Sequence, residues 1–217
     1  MAHTHMNSAA RSTDQTANEA LELSASIVSR ICHDLVSPMG AISNGLELLQ
    51  LSQQQGGAEF DLITQSVESA TTRLRFYRIA LGRVSADQKM GRAEILSILT
   101  AMEKHQKQKC QWNSTVDLSR RQVKLVFLML MCLETALPWG GRIEISDSAK
   151  GLEFTTISDR FKINDELWSH FEQPVNFAEL SSAQIHFGLA SAEIRKQHAR
   201  YAMTQNPTGL CIRIDFT

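Results

Sequence analysis

The stretch Ser29-Arg30-Ile31-Cys32-His33-Asp34-Leu35-Val36-Ser37-Pro38 sets a histidine beside a carboxylate inside an amphipathic helical pattern. Working outward from it, Val28, Ile31, Leu35, Ile42, Leu46 and Leu49 recur at helical spacing, near the a and d positions of a heptad. Turning Ile31, Leu35 and Ile42 toward a core puts His33 on the opposite, solvated face. Its surface neighbours are then Arg30, Ser37, Gly40, Asn44 and Glu47. Asp34 is offset by about 100° around the helix. Pro38 deletes a backbone donor and is expected to kink the helix just after His33.

That face suits phosphoryl chemistry. Imidazole has an unperturbed pKa of about 6.5, so much of it is a neutral nucleophile near pH 7. A neighbouring carboxylate can orient the ring or take its proton. Ser37 and Gly40 are small enough to let another protein approach, and Arg30 can pair with phosphate oxygens or with a partner's acidic cluster. Each residue also has a plainer reading. Ser37 can be a turn device before Pro38, Asp34 a solvated charge, and Gly40 a relief of packing beside the kink. Glycine costs about 1 kcal/mol inside a helix, so Gly40 wants a reason.

A second helix is expected over residues 59–81, with Phe60, Ile63, Val67, Ala70, Leu74, Tyr77 and Leu81 forming an uninterrupted heptad seam. The polar turn Gln53-Gln54-Gln55-Gly56-Gly57 joins the two into an antiparallel hairpin over residues 18–83. A hairpin alone leaves one side of each helix bare. Two copies close a four-helix bundle, which predicts a homodimer; alternatively, the second domain covers the seam.

Residues 1–17 are polar and unpatterned and read as a disordered tail. Residues 84–91 read as a linker. Residues 92–217 then mix periods: helices over 92–107, 119–137 (with Ser119 as a cap) and 182–198, and strands over 111–116, 142–146 and 151–158. A hairpin around Asn206-Pro207 closes the chain. The fold class is α+β: a helical hairpin followed by a small α/β sandwich.

Bulk composition excludes several functions. Lys+Arg (22) nearly balances Asp+Glu (23), which gives no basic footprint for nucleic acid. No apolar run approaches the roughly 20 residues of a membrane span. The N-terminus lacks signal-peptide blocks, so a cytoplasmic protein with no membrane association is expected. Cys32, Cys110, Cys132 and Cys211 are far apart in sequence and read as free thiols.

The run His33-Asp34-Leu35-x-Ser37-Pro38, followed by Gly40-Ala41-Ile42-x-Asn44-Gly45-Leu46-Glu47-Leu48-Leu49, resembles the phosphoacceptor box of histidine kinase dimerisation domains. With Arg30-Ile31-Cys32 before it, the stretch is more narrowly similar to ChpT-type histidine phosphotransferases of alphaproteobacteria, a resemblance that extends over residues 21–217. The resemblance implies that His33 carries a phosphoryl group while Asp34 orients the ring or accepts its proton. It further implies a dimeric four-helix stem to which receiver domains dock, with Arg30, Ser37, Gly40, Asn44 and Glu47 on the contact face. Phosphate would come from the receiver domain of a hybrid histidine kinase and pass to response regulators. A divergent autophosphorylating kinase and a non-catalytic dimeric scaffold remain alternatives.

By the same resemblance, the C-terminal domain looks like a kinase ATP-binding domain stripped of its nucleotide chemistry. The helix Leu128-Met129-Leu130-Met131-Cys132-Leu133-Glu134-Thr135-Ala136-Leu137 has no Asn to hold Mg²⁺. Asp159 is followed by Arg160 and Phe161, not by glycine, and His186-Phe187-Gly188-Leu189 keeps one glycine where several are expected. No lid is recognisable between Phe171 and Ser182. Gly140-Gly141 precedes a strand, so it is a turn rather than a phosphate loop. The chain itself is therefore expected to bind no cofactor or metal, the Mg²⁺ sitting in the receiver partner.

Overall fold

The computed structural model describes residues 3–52, 57–84, 88–207 and 209–216. Helix α1 (His3–Ser52) pairs with α2 (Ala58–Ala80) as a hairpin. Residues 53–56 of the expected turn lie outside the described residues, and Gly57 begins α2 at φ 153°, a conformation that favours glycine. Helix α1 runs through Pro38 without interruption, and the proline is buried. Residues 3–17, expected as a disordered tail, continue α1. Ala9, Ala10 and Ala17 favour helix, no Gly or Pro interrupts the segment, and it extends a helix already nucleated downstream.

The heptad seams divide in two. On α1, Ile31, Leu35 and Ile42 are half-buried, whereas Val28 and Leu46 stay exposed. On α2, Ile63 and Ala70 are half-buried and Tyr77 is buried, whereas Phe60, Val67 and Leu74 are 59%, 47% and 50% exposed. Neither partial explanation of the seam suffices alone, because the hairpin and the second domain cover only one stripe of each helix.

The C-terminal region carries α3 (Arg92–Glu103), α4 (Arg120–Ala136), the short α5 (Asp165–Ser169) and α6 (Ile185–Lys196). Its strands are β1 (Gln108–Trp112), β2 (Gly141–Asp147), β3 (Gly151–Ile157), β4 (Arg200–Asn206) and β5 (Gly209–Asp215), ordered β1-β2-β3-β5-β4. Among the described residues β1 pairs with β2 in parallel, and the other strand pairs are antiparallel. Ile143, Ile145, Leu152, Phe154, Ile212 and Ile214 alternate inward and are essentially inaccessible, so one sheet face packs and the other is open. Ser119 caps α4 as expected: its hydroxyl accepts from the Gln122 N–H at 3.2 Å, and the Gln122 side chain returns the bond to the Ser119 N–H at 2.9 Å.

Strand β1 begins three residues earlier than expected. Parallel register with β2 pairs Gln108 with Gly141, and the alternation of Gln108 and Trp112 inward sets its phase. The polar Ser114 and Thr115 beyond it turn instead, tied to the Asp147 carboxylate. The expected linker at residues 84–91 is also corrected where it is described, residues 85–87 lying outside. Met90 is 4% exposed, Lys89 bridges Ser119, and the Arg120 N–H donates to the Gln88 carbonyl at 2.8 Å. An apolar methionine in a polar run is enough to draw the segment into the core.

A single core spans both parts. Phe76, Tyr77, Ile79 and Ala80 of α2 belong to the same buried cluster as α4 and the sheet, and Leu23, Ile27 and Ile31 of α1 pack onto it. Phe76 lies 4.8 Å from Phe127 of α4, centroid to centroid. Arg120 donates to the Arg78 and Ile79 carbonyls, and Lys124 to that of Gly82. These are carbonyls that the end of α2 leaves without helical partners. The α1–α2 hairpin is thus held at a fixed attitude on the sheet domain.

Candidate functional site

His33 stands on α1 with 81% of its side chain exposed. On an ideal helix Ser37, Gly40, Asn44 and Glu47 share an arc of about 80° with it. All of them are exposed. A Cβ built on Gly40 would meet nothing within 4 Å, so packing within the chain does not require glycine there. The relief-of-packing reading of Gly40 is therefore overturned.

Asp34 behaves differently from a solvated charge. Its side chain is only 8% exposed and forms the hub of the site. Oδ1 lies 3.0 Å from His33 Nδ1. Oδ2 accepts from the Tyr77 hydroxyl and forms ion pairs with Arg30 Nε at 3.2 Å and Arg73 Nη1 at 3.9 Å. A carboxylate is an acceptor, so the neutral His33 ring that meets it carries its proton on Nδ1 and keeps a lone pair on Nε2. That tautomer is assigned from the hydrogen bond.

Arg30 is not a free arm on the contact face. Its side chain is 19% exposed, turned onto Asp34, and Nη1 donates to the Ala183 carbonyl at 3.2 Å just ahead of α6. In the chain by itself Arg30 forms an internal tether between Asp34 and the segment ahead of α6. Its position near the edge of the exposed arc lets it reach inward, which heptad bookkeeping on one helix does not show.

Tyr77 and Arg73 escaped the sequence reading. Tyr77 sits in the α2 seam and reads as core, which it is at 6% exposure, but its hydroxyl still needs a partner. Arg73 lies four residues earlier, on the same face. A signal was present: two polar-tipped side chains at helical spacing, facing a helix that carries one inward acidic residue. Beside Asp34 and Arg73, an open groove of about 310 Å³ runs between α1 and α2, with Ser37, Ala41, Ser66 and His105 also in its walls. Pro38 and Leu62 are the larger apolar side chains in a lining that is otherwise small or polar.

Behind the site, burial pushes the Glu134 carboxyl on α4 above its ordinary value, a rise opposed by Arg73 and Arg30 and reinforced by Asp34. Gln106 donates to its Oε1 at 3.1 Å. His186 is fully inaccessible, with Nε2 3.2 Å from the Thr135 hydroxyl, and burial pushes its pKa down to about 3, helped by Arg30. The lone glycine of this segment serves packing: a Cβ on Gly188 would fall 2.7 Å from both Leu180 Cδ1 and Phe177 Cε1. The Arg160 guanidinium lies 4.4 Å over the Trp139 ring. Gly140 and Gly141, at φ 102° and 151°, form the turn from α4 into β2. Among the described residues, no group of three or more His, Cys, Asp and Glu side chains is placed to hold a metal ion, and no helix is long and apolar enough to cross a membrane.

A family model described as the histidine phosphotransferase C-terminal domain matches residues 92–209, more than half of the 217-residue chain. The curated protein phosphotransferase ChpT of Brucella abortus (strain 2308) is 41% identical over 138 residues, covering 59% of this chain. The match spans 64% of that relative's own length. A solved structure described as a bacterial phosphotransferase superposes with a TM-score of 0.76 at 25% identity, covering 90% of this chain and 97% of that one. The α+β architecture of hairpin and sheet domain is common to that structure and this one, and the chain belongs to the histidine phosphotransferase family.

Proposed function

We propose that this chain is a histidine phosphotransferase that relays a phosphoryl group between receiver-domain aspartates through phospho-His33. The observation that carries the reading is the pairing of an 81% exposed imidazole with a carboxylate only 8% exposed, 3.0 Å from Nδ1. The arrangement points Nε2 reactivity outward. In the forward step Nε2 attacks the phosphorus of an aspartyl phosphate, forming the P–N bond as the P–O bond breaks and the aspartate carboxylate leaves with that electron pair. The proton on Nδ1 stays in place, so phospho-His33 carries a cationic ring that Asp34 steadies and that leaves readily in the reverse step. Transfer is then reversible, and positioning supplies much of the catalysis.

Receiver domains dock over His33, Ser37, Gly40, Asn44 and Glu47 and into the groove between α1 and α2. The Mg²⁺ that transfer requires belongs to the receiver's acidic pocket, and the reaction takes place in the cytoplasm. The sheet domain binds no ATP in this reading. What supports this is the filled space around Gly188, the stacking of Arg160 on Trp139 and the absence of Asn from α4. A homodimer covers the bare stripes of Phe60, Val67 and Leu74 on α2 and of Val28, Met39 and Leu46 on α1, which closes a four-helix bundle. Calorimetry with ATP and Mg²⁺ separates this reading from a divergent kinase. No heat of binding at micromolar nucleotide is expected, and clear micromolar affinity contradicts the relay. A scaffold is told apart by whether label moves at all from a phosphorylated receiver.

A further inference from the structure

Asp34 presents its two oxygens to different neighbours. Oδ1 lies 3.0 Å from His33 Nδ1, while the Tyr77 hydroxyl, Arg30 and Arg73 converge on Oδ2. Arginine has no acceptor, and the phenol gives its one proton to Oδ2. The carboxylate is held as an acceptor at both ends, and its plane is fixed by contacts on the side away from His33.

Two of these contacts are referenced to the sheet domain. Tyr77 packs edge-on to Phe76 at 6.1 Å and 83°, and Phe76 lies against Phe127 of α4. Arg30 spans from Asp34 to the Ala183 carbonyl ahead of α6. A domain without nucleotide chemistry therefore still has a grip on the orientation of the phosphoacceptor.

Resting on the reading of His33 as phosphoacceptor, we propose that Tyr77 is a positioning residue: together with Arg30 it locks Asp34, and through Asp34 fixes the His33 ring with its proton on Nδ1 and its lone pair on Nε2. Left to itself, neutral imidazole favours the opposite tautomer, so the hydrogen bond must select this one. The sheet domain then acts on the reaction by presenting the nucleophile.

The test uses the full chain with ¹⁵N-labelled histidine and reads the ring nitrogens by long-range ¹H–¹⁵N NMR with the ring neutral. A His33→Gln sample identifies the resonances. Phosphoramidate, a donor that needs no receiver, reports the labelling rate. The wild-type ring is expected as the Nδ1–H tautomer. Tyr77→Phe keeps the buried ring and is expected to shift His33 toward the Nε2–H form and slow labelling on the order of ten-fold, with far-ultraviolet circular dichroism unchanged. Arg30→Lys keeps the charge but cannot reach both Asp34 and Ala183, and is expected to move both readouts the same way. Wild-type tautomer and rate in both variants would overturn the positioning role. If the wild-type chain takes no label on His33 from phosphoramidate or from a phosphorylated receiver, the phosphoacceptor reading falls, while the tautomer spectra still decide what Tyr77 does.

Discussion

His33 Nδ1 and Asp34 Oδ1 lie 3.0 Å apart although the two residues are adjacent on one helix and differ tenfold in exposure, 81% against 8%. A reactive ring is thereby mounted on a carboxylate anchored in the protein. Asp34→Asn retains the shape but cannot accept at both oxygens. If its amide nitrogen faces Oδ2's former partners it meets only donors, and if it faces His33 it enforces the wrong tautomer. Transfer to His33 is expected to fall by about 10²–10³-fold, measured as the single-turnover rate from a phosphorylated receiver.

Gly40 separates stability from docking. With nothing within 4 Å of a built Cβ, Gly40→Ala is expected to stabilise the chain by about 0.5–1 kcal/mol in a urea titration. The added methyl stands on the His33 face, so receiver affinity is expected to fall. A variant that is more stable and binds receiver as tightly as wild type would remove the docking rationale for this glycine.

The bare stripe of α2 predicts how association fails. Leu74 is 50% exposed and Val67 47%, so glutamate at either position is tolerated by the folded monomer. In a bundle each charge would be buried without a partner, at a cost of several kcal/mol. Sedimentation equilibrium is expected to show a wild-type dimer and a monomeric Val67→Glu/Leu74→Glu protein with unchanged helix content. Cys32 is exposed on the α1 face near Val28 and Met39, and its reaction with a thiol reagent is expected to slow as wild-type concentration rises. In the monomeric variant that dependence disappears.

Two desolvated groups give opposite pH slopes. His186, held down to about 3 by burial and Arg30, takes up a proton in the unfolded chain near pH 6.5 but not in the folded one. Its contribution is whole above pH 6.5 and is lost on acidification toward pH 3. Glu134, raised by burial, keeps its proton in the folded chain after the unfolded chain has released it near pH 4.5, so it subtracts stability as pH rises past that value. Glu134→Gln, which can still accept from Gln106, is expected to raise Tm at pH 7–8 by roughly 2–4 °C per kcal/mol relieved, with no gain at pH 4. Thermal melts across pH 4–8 check both slopes.

Gly188→Ala tests the close packing around the single glycine of α6. The new methyl would overlap Leu180 and Phe177 at 2.7 Å, so a loss of about 1–3 kcal/mol is expected in chemical denaturation.

The helices and strands were legible because their signals are local. The α2 seam, the Ser119 capping box and the hairpin around Asn206-Pro207 each lie within one segment. The five-residue α5 escaped because it is shorter than the period that would reveal it. At the site, His33, Ser37, Gly40, Asn44 and Glu47 share one helix face, and spacing alone placed them. Tyr77, Arg73 and the internal contacts of Arg30 were missed because they depend on another element: Ala183 is 153 residues from Arg30 in sequence, and Tyr77 is 43 from Asp34. Helical periodicity tells which way a side chain points and not what waits there.

The most direct test of the account is to mix the full chain with a phosphorylated receiver domain of a hybrid histidine kinase, in Mg²⁺ and without nucleotide, and to locate the transferred label. The account predicts an acid-labile phosphoryl group on His33 Nε2, absent from His33→Gln and not produced by ATP and Mg²⁺ alone. Label that persists in His33→Gln, or that ATP supplies without a receiver, would contradict it.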